Sequence, residues 1–478
     1  MKLNQLTIKE VSEGLRKKIF SCQELIKDCL KEIEKRDKEI NAFINLNENV
    51  LEEAKKIDKD LAKSKKLGEL AGVPLAIKDN ILVEGLKCTA GSKILENYLA
   101  PYEATVIERL RQAGAIFLGK TNLDEFAMGS SGENSAFGPT KNPYDLTRVP
   151  GGSSSGSAAA VAAHFCCGAL GSDTGGSIRQ PAAFSGLIGL KPTYGRVSRY
   201  GLIAMASSLD QIGPLTKNIE DAALIFKIIE GKDELDSTTF DLDFKTEDKI
   251  IPSVAGMKIG LPKEYFIKGL DKEIENKIKK IIEKLENQGV IIKEVSLPHT
   301  EYALASYYII MPAEVSANLA RYDTIRYGGI KRKKEKGKTL LDLYMENRVN
   351  GFGDEVKRRV MLGTYTLSAG YYETYYLKAQ KVRNLIKKDF LEIFKKVDLI
   401  ITPTTLTPAF KIGEKQTPLE MYLSDIFTVP VNLAGLPAIS LPIGLTKTKL
   451  PIGLQITGNY FREGQILKLG KMIEEIRE

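Results

Sequence analysis

Two Gly-Ser clusters, Gly151 to Ser157 and Thr174-Gly175-Gly176-Ser177, hold the residue types that nucleophilic acyl chemistry needs. Consecutive glycines let a backbone approach a ligand closely and turn several N–H groups toward one point, which suits a developing oxyanion. A serine at the end of such a turn is a candidate nucleophile. Serine is too weak an acid to attack unaided, so a base must stand beside it. Histidine is the usual base, and the chain has two. His164 falls in the apolar segment Ala158 to Leu170, which reads as a helix with the imidazole packed in it; His299 follows Pro298 in a polar stretch that reads as surface. The remaining strong base is a lysine kept neutral by burial, because desolvation disfavours the ammonium and lowers its pKa from about 10.4. Lys78 fits, since it closes the apolar run Gly72-Val73-Pro74-Leu75-Ala76-Ile77, which reads as a buried strand.

These residues need a frame that can bury them. From Gly151 to Leu190 only Asp173 and Arg179 carry charge, in a chain that is 27% charged overall, so this stretch can lie inside the fold with its hydroxyls and glycines. Around it, helix and strand patterns alternate. Thr7 with Glu10 and Ser21 with Glu24 have capping-box spacing, and Leu25, Ile26, Cys29, Leu30 and Ile33 share a helical face that would bracket the core. A charged helix spans Leu51 to Lys66, another helix Ala104 to Gly114, and Ile116-Phe117-Leu118 is a short strand. Further on, Ile219 to Glu230, Asp271 to Gln288, Tyr302 to Arg321 and Leu362 to Lys395 read as helices. Strands are expected at 256–261, 290–295 and 397–401, with a closing hairpin from 438–441 and 454–456. The alternation implies an α/β layered sheet with helices on both faces. Gly129 to Asn142, rich in Ser, Gly and Asn, is long enough to form a substrate wall. No clean linker breaks the 478 residues, so one composite domain is expected: a helical bracket (1–66), a core (67–230), a peripheral excursion with helices (231–345) and a part that completes the core and pocket (346–478).

Composition excludes several classes. A net charge of +8 is mild at this length, and the densest basic run, Lys331 to Lys336, reads as a solvated turn rather than a nucleic-acid arm. The five cysteines show neither metal-ligand pairing with histidine nor a disulfide framework. The start shows no signal-peptide pattern and no apolar run is long enough to cross a membrane, so a cytoplasmic protein is expected. Asp173-Thr174-Gly175 echoes the aspartic protease triplet, but that chemistry needs a second such triplet, which the chain lacks. A phosphate loop fails too, because no Gly-Lys-Ser/Thr follows Gly151 to Ser157.

Taken together, Lys78 in its apolar frame, Gly151-Gly152-Ser153-Ser154 and Asp173 to Pro181 resemble the amidase signature family, which works through a Ser-cisSer-Lys triad. Within that family the stretches Leu190 to Gly201, Ala206 to Pro214, Val356 to Gly363 and Asp425 to Gly435 are similar to the branch that supplies the glutaminase component of tRNA-dependent amidotransferases. The likeness runs over essentially the whole chain. Where the family usually has glycine this chain has Ser155, and where it often has cysteine, Ser185.

The resemblance implies an α/β amidase-signature fold, a large mixed sheet covered by helices on both faces. It implies Ser177 as nucleophile, Ser153 as the bridging serine on a cis peptide and Lys78 as neutral base. The backbone N–H groups of Thr174, Gly175, Gly176 and Ser177 would form the oxyanion hole. It also implies glutamine as substrate, hydrolysed through an acyl-enzyme, with Arg358 on the α-carboxylate, Asp425 on the α-ammonium, and Gly129 and Tyr308 lining the pocket; Arg359 stands next to Arg358 as the alternative. Ammonia would pass to a B subunit that amidates Glu-tRNA(Gln) or Asp-tRNA(Asn), with a small C subunit completing a heterotrimer. No cofactor or metal is expected in this chain; ATP and Mg are expected on the partner. The alternatives are a stand-alone amidase acting on other amides and a non-catalytic tRNA-binding scaffold.

Overall fold

Short apolar runs bounded by glycine and proline become strands here, and their order fixes where the chemistry can sit. In a computed structural model, residues 2–63, 67–241, 254–323, 325–327 and 339–477 are described. Among them eleven strands form one sheet: β1 (Phe43–Leu46), β2 (Pro74–Lys78), β3 (Ile116–Thr121), β4 (Gly168–Asp173), β5 (Ile188–Lys191), β6 (Gln211–Thr216), β7 (Lys258–Pro262), β8 (Ile291–Val295), β9 (Leu399–Pro403), β10 (Ala438–Leu445) and β11 (Pro451–Gly458). Their order across the sheet is β1-β3-β2-β4-β6-β5-β10-β11-β9-β7-β8. The sheet is mixed: β3, β2 and β4 run parallel to one another, as do β9, β7 and β8, while the strands between them pair antiparallel. Every residue of β2, β3, β4, β5, β6, β9 and β11 is buried, which requires cover on both faces.

The parallel trio β3, β2, β4 positions the site, because parallel strands discharge their chains at one shared edge. Lys78 is the last residue of β2, in register with Thr121 at the end of β3, and Asp173 closes β4. Ligand sites in sheets of this kind lie beyond the carboxyl ends of such strands.

The N-terminal bracket forms as its caps demand. Both capping boxes close, at Thr7 with Glu10 and at Ser21 with Glu24. Helix Cys22–Ile40 buries Leu25, Ile26, Cys29 and Ile33 against the main core, and Leu30 packs on its margin. Helices Thr105–Gln112, Ile219–Ile229 and Lys272–Asn287 lie where periodicity places them, the last capped by the Asp271 side chain.

Four expectations are corrected. The helix expected from Ala158 to Leu170 is only Ser155–Ala162; the chain then turns through His164, at φ 60°, and re-enters the sheet as β4. A continuous apolar run carries no period to tell a buried helix from a buried strand. The helix expected from Leu51 to Lys66 spans Val50–Ala62, and residues 64–66 lie outside those described. The single helix expected from Leu362 to Lys395 is a helix Asp354–Leu367, a π-helical turn Tyr372–Leu377 and a helix Lys378–Ile393, broken at Gly370 (φ 84°). Strands β1, β5 and β6 were not expected at all. The basic run Lys331 to Lys336 and most of the polar excursion past Asp241 lie outside the described residues. The five cysteines are buried and unpaired, and no described helix is long and apolar enough to cross a membrane.

Candidate active site

Lys78 leaves the end of β2 fully buried, and its amine is surrounded by neutral oxygens. Nζ lies 2.8 Å from Ser153 Oγ, 2.9 Å from Ser154 Oγ, 2.9 Å from Ser172 Oγ and 3.3 Å from the Ser172 carbonyl. Among the described residues no carboxylate forms an ion pair with it. Burial pushes its pKa down to about 7, against the weaker opposing pull of the Asp124, Asp173 and Asp210 charges. Each of those carboxylates is engaged elsewhere. Asp124 accepts from the N–H groups of Gly132 and Asn134, Asp173 pairs with Arg179 at 3.0 Å, and Asp210 takes the Thr174 hydroxyl at 2.6 Å.

The serines reach the amine because the Gly-Ser turn is forced close. The Gly152-Ser153 peptide is cis. Gly152 packs against the Asp124 carboxylate so tightly that a Cβ would collide with it, and its N–H donates to Gln180 Oε1 at 2.9 Å. The Asp124 N–H donates to the Ser153 carbonyl at 3.3 Å. Helix Ser155–Ala162 then begins, and its small residues let it lie flush on the sheet. Gly156 has no room for a Cβ between Ala42 and Asn122, and Ser157 donates to the Leu170 carbonyl at 2.9 Å.

The second cluster follows β4. Arg179, wholly buried, holds both oxygens of Asp173, and it also donates to Gln455 at 2.6 Å, to the Thr428 carbonyl at 3.1 Å and to Asn432. Burial would raise the Asp173 carboxyl, but the Arg179 charge overrides it and brings it down to about 2. This ion pair pins the turn Thr174 to Ser177. Gly175 abuts Tyr307, whose hydroxyl would be 2.7 Å from an added Cβ, and Gly176, at φ 143°, abuts Thr428. Among the described residues nothing accepts from the N–H groups of Gly175, Gly176 or Ser177, so these donors are unspent. Ser177 is 8% exposed, the Ser154 N–H donates to its carbonyl at 3.2 Å, and no hydrogen bond joins its hydroxyl to Ser153 in this structure.

A pocket of opposite charges lies on the helical side. Asp425 is buried, takes the Ser130 hydroxyl at 2.6 Å and stands 3.4 Å from Tyr308 Oη. Burial raises its carboxyl to about 7. Tyr308 stacks on Tyr422 at 3.8 Å, and the Arg359 guanidinium lies 5.4 Å from one ring centroid and 5.6 Å from the other. Arg359 is 3% exposed and pairs with Glu355 at 2.8 Å. Of the two adjacent arginines, Arg358 has a side chain 42% exposed that pairs with Glu355, while Arg359 is the one buried beside Tyr308, which also reaches Asp425. Gly129 is buried beside Asp124, one residue from Ser130.

The family model "Amidase" matches residues 24–467. The chain belongs to the amidase family. A relative from Halothermothrix orenii, the A subunit of glutamyl-tRNA(Gln) amidotransferase, is 56% identical over 99% of this chain and 98% of its own. The protein of that name from Carboxydothermus hydrogenoformans is 54% identical over 100% and 98%. Among solved structures, the Thermotoga maritima protein of the same name superimposes with a TM-score of 0.83 at 44% identity, covering 100% of this chain and 96% of that one. The native peptide amidase from Stenotrophomonas maltophilia also gives 0.83, at 30% identity over 98% and 96%.

Reading the amidase from its sequence missed the residues that work through others. Ser154 and Ser172 hold the lysine amine, Asn80 Nδ2 donates to Ser172 Oγ at 3.0 Å, and Asp124 backs the Gly152-Ser153 turn. Ser130, Glu355 and Tyr422 complete the charged pocket. Among the described residues of this amidase no group of three His, Cys, Asp or Glu could hold a metal ion.

Proposed function

We propose that this amidase is the glutaminase subunit of a tRNA-dependent amidotransferase. The observation that carries the reading is the burial of Asp425 and Arg359 on either side of Tyr308, the one 3.4 Å from its hydroxyl and the other 5.4 Å from its ring centroid. A free glutamine brings an ammonium and a carboxylate along with its amide, and these two side chains match them across the Tyr308-Tyr422 stack. The names of the full-length relatives support the same conclusion.

The hydrogen inventory around Lys78 gives the direction of proton flow. Ser154 spends its hydroxyl hydrogen on the Ser172 carbonyl at 3.2 Å, and so accepts from the amine. Ser172 Oγ takes a second amine hydrogen. A neutral amine has only two hydrogens, so its lone pair is left for Ser153. Ser153 gives its proton to Lys78 and takes one from Ser177, a link that closes on substrate binding, since catalytic hydrogen bonds of this kind commonly tighten when substrate arrives. Ser177 Oγ then attacks the carboxamide carbon, and the oxyanion is held by the N–H groups of Thr174 to Ser177. The proton returns through Ser153 to the leaving nitrogen, ammonia departs, and water hydrolyses the glutamyl-enzyme to glutamate.

Ammonia passes to a partner B subunit, which uses ATP and Mg to amidate Glu-tRNA(Gln) or Asp-tRNA(Asn) in the cytoplasm, with a small C subunit completing the heterotrimer. Leu341, Met345 and Val349, exposed one turn apart along helix Leu340–Gly351, support a covered surface, since a monomer seldom leaves such a stripe to solvent. Ser177→Ala tests the proposal. Glutamine-dependent transamidation by the assembled complex disappears while ammonia-dependent transamidation persists, and loss of both would refute this division of labour.

A further inference from the structure

Consecutive acidic residues, Asp124 and Glu125, reach different parts of the structure, the Gly152-Ser153 turn and Gly353, and the backbone just after them is strained. Phe126 and Ala127 are both left-handed, at φ 49° and 63°, a conformation costly for residues with a Cβ. Phe126 N–H donates to the Ala90 carbonyl at 2.7 Å, and Ala90 is itself left-handed at φ 51°. This kinked 3-10 turn leaves Asp124 against the Gly152-Ser153 turn. It turns Glu125 the other way, into the junction between helix Leu340–Gly351 and helix Asp354–Leu367.

There Glu125, 3% exposed, uses both carboxylate oxygens. Its Oε2 accepts the Gly353 N–H at 2.8 Å, and Gly353 is the residue that opens the helix carrying Arg359. Its Oε1 takes the Ser92 hydroxyl, which also reaches the Gly351 carbonyl at 3.1 Å. The neighbouring Phe126 ring packs edge-on against Phe352, 5.7 Å between centroids. The approach is close: a Cβ on Gly353 would lie 2.5 Å from Glu125 Oε2.

We infer that Glu125 is a positioning residue: it anchors the start of helix Asp354–Leu367 to the 3-10 turn that backs the Gly152-Ser153 turn, and so sets the distance between Ser177 and Arg359. This rests on the reading of glutamine as substrate, because only a substrate gripped by Arg359 and cut at Ser177 feels that distance. Burial also raises the Glu125 carboxyl to about 7, against the hydrogen bonds of Ser92 and Gly353, which is consistent with a group enclosed for placement.

The test uses the full chain with its amidotransferase partners and three readouts: glutamine kcat and KM, the burst of p-nitrophenyl acetate that reports Ser177 acylation without the charged pocket, and amide exchange from Gly353 to Arg359. Glu125→Ala raises the glutamine KM about tenfold, keeps kcat and the acetate burst within about threefold, and speeds exchange at the helix start. Glu125→Gln restores all three, since its amide oxygen accepts Gly353 N–H while its nitrogen donates to Ser92, whose hydrogen still reaches Gly351. A burst that falls in step with glutamine turnover, unchanged exchange in Glu125→Ala, or a Glu125→Gln as impaired as the alanine variant would each overturn the inference. Should Glu125→Ala not fold, Gly353→Ala crowds the same contact and carries the same expected KM rise, and an unaltered KM there refutes it. If the wild-type chain leaves glutamine untouched but still gives the acetate burst, the substrate reading falls alone, and the exchange comparison still decides the anchor.

Discussion

On one side of the pocket a lysine is kept without a counter-ion; on the other, an arginine is kept with one. Lys78 sits among Ser153, Ser154 and Ser172, and the three nearest carboxylates are each occupied by amides, by Arg179 or by a threonine. Arg359 has Glu355 at 2.8 Å and two tyrosine faces. Both cations are buried, so burial alone does not decide their state. Partner chemistry does: neutral oxygens leave desolvation unopposed and make Lys78 a base near neutrality, while a carboxylate and aromatic faces keep the guanidinium charged and useful only for binding. The supporting structure differs in the same sense. The base stands on strand ends in the sheet, where small displacements are resisted. The arginine stands on a helix whose close approach to helix Ala303–Asn318, at Gly363 against Pro312, leaves its far end to be fixed by other contacts.

The sharpest way to break this contrast is to remove the base. Lys78→Met keeps the volume and discards the amine, and kcat for glutamine falls by about 10⁴, with KM changed little. A fall of less than about tenfold would place the base elsewhere. The next test separates the adjacent arginines. Arg359→Ala removes the buried cation and lowers kcat/KM by about 10², mainly through KM, because the substrate carboxylate loses a charged partner and Glu355 keeps only Tyr422 and the more exposed Arg358. Arg358→Ala, on an exposed side chain, leaves kcat/KM within about twofold. The opposite ranking would return the role to Arg358.

That pair shows what was legible in the sequence and what was not. Lys78 could be found from one dimension, because an apolar run ending in a lysine forecasts both strand and burial. Which of Arg358 and Arg359 is buried could have been read from helical period, since the buried face of helix Asp354–Leu367 is Val356, Arg359, Gly363 and Thr366, spaced three and four apart. The run of charge at Lys357 to Arg359 hid that period. Residues that act through others, such as Ser172, Asn80 and Asp124, carry no local signature. Ser172 lies 94 positions from Lys78 and 92 from Asn80, and Asp124 lies 28 from Gly152, and only strand order brings these pairs together. Strands β5 and β6 were hidden for another reason: Gly189, Gly213 and Pro214 are poor strand formers, tolerated because the tight packing of Gly189 on Ala182 and of Gly213 on Leu190 admits nothing larger.

The pH profile reads both sides at once, with a smaller effect. Lys78 must be neutral to accept the Ser153 proton and its pKa is lowered to about 7, so kcat falls about tenfold per unit below pH 7 and levels above it. Asp425 must be ionised to hold the substrate ammonium and its pKa is raised to about 7, so KM rises as pH drops through the same range. Asp425→Asn raises KM at every pH and flattens its pH dependence while the kcat limb stays at Lys78. A kcat limb that moves with this substitution would join the two groups into one coupled titration.

The smallest expected effect tests how far the catalytic side tolerates change just off the triad. Ser155 stands where the family usually has glycine, and it opens helix Ser155–Ala162 with its hydroxyl donating to Thr140 Oγ1 at 3.2 Å. Thr140 retains its own bond to the Asn41 carbonyl at 3.1 Å without it. The lysine amine is reached by Ser153 and Ser154, not by Ser155, so Ser155→Gly leaves glutamine kcat and KM within about twofold. The extra backbone freedom and lost contact cost about 0.5–1 kcal/mol of stability, a shift in thermal midpoint of about 1–2 °C in a chain this long. A tenfold loss of kcat from so remote a hydroxymethyl would mean that the start of the helix, rather than the hydrogen bonds to Lys78, sets where Ser153 and Ser154 stand, and the rigidity assigned to the strand side would have to be reassigned to that helix.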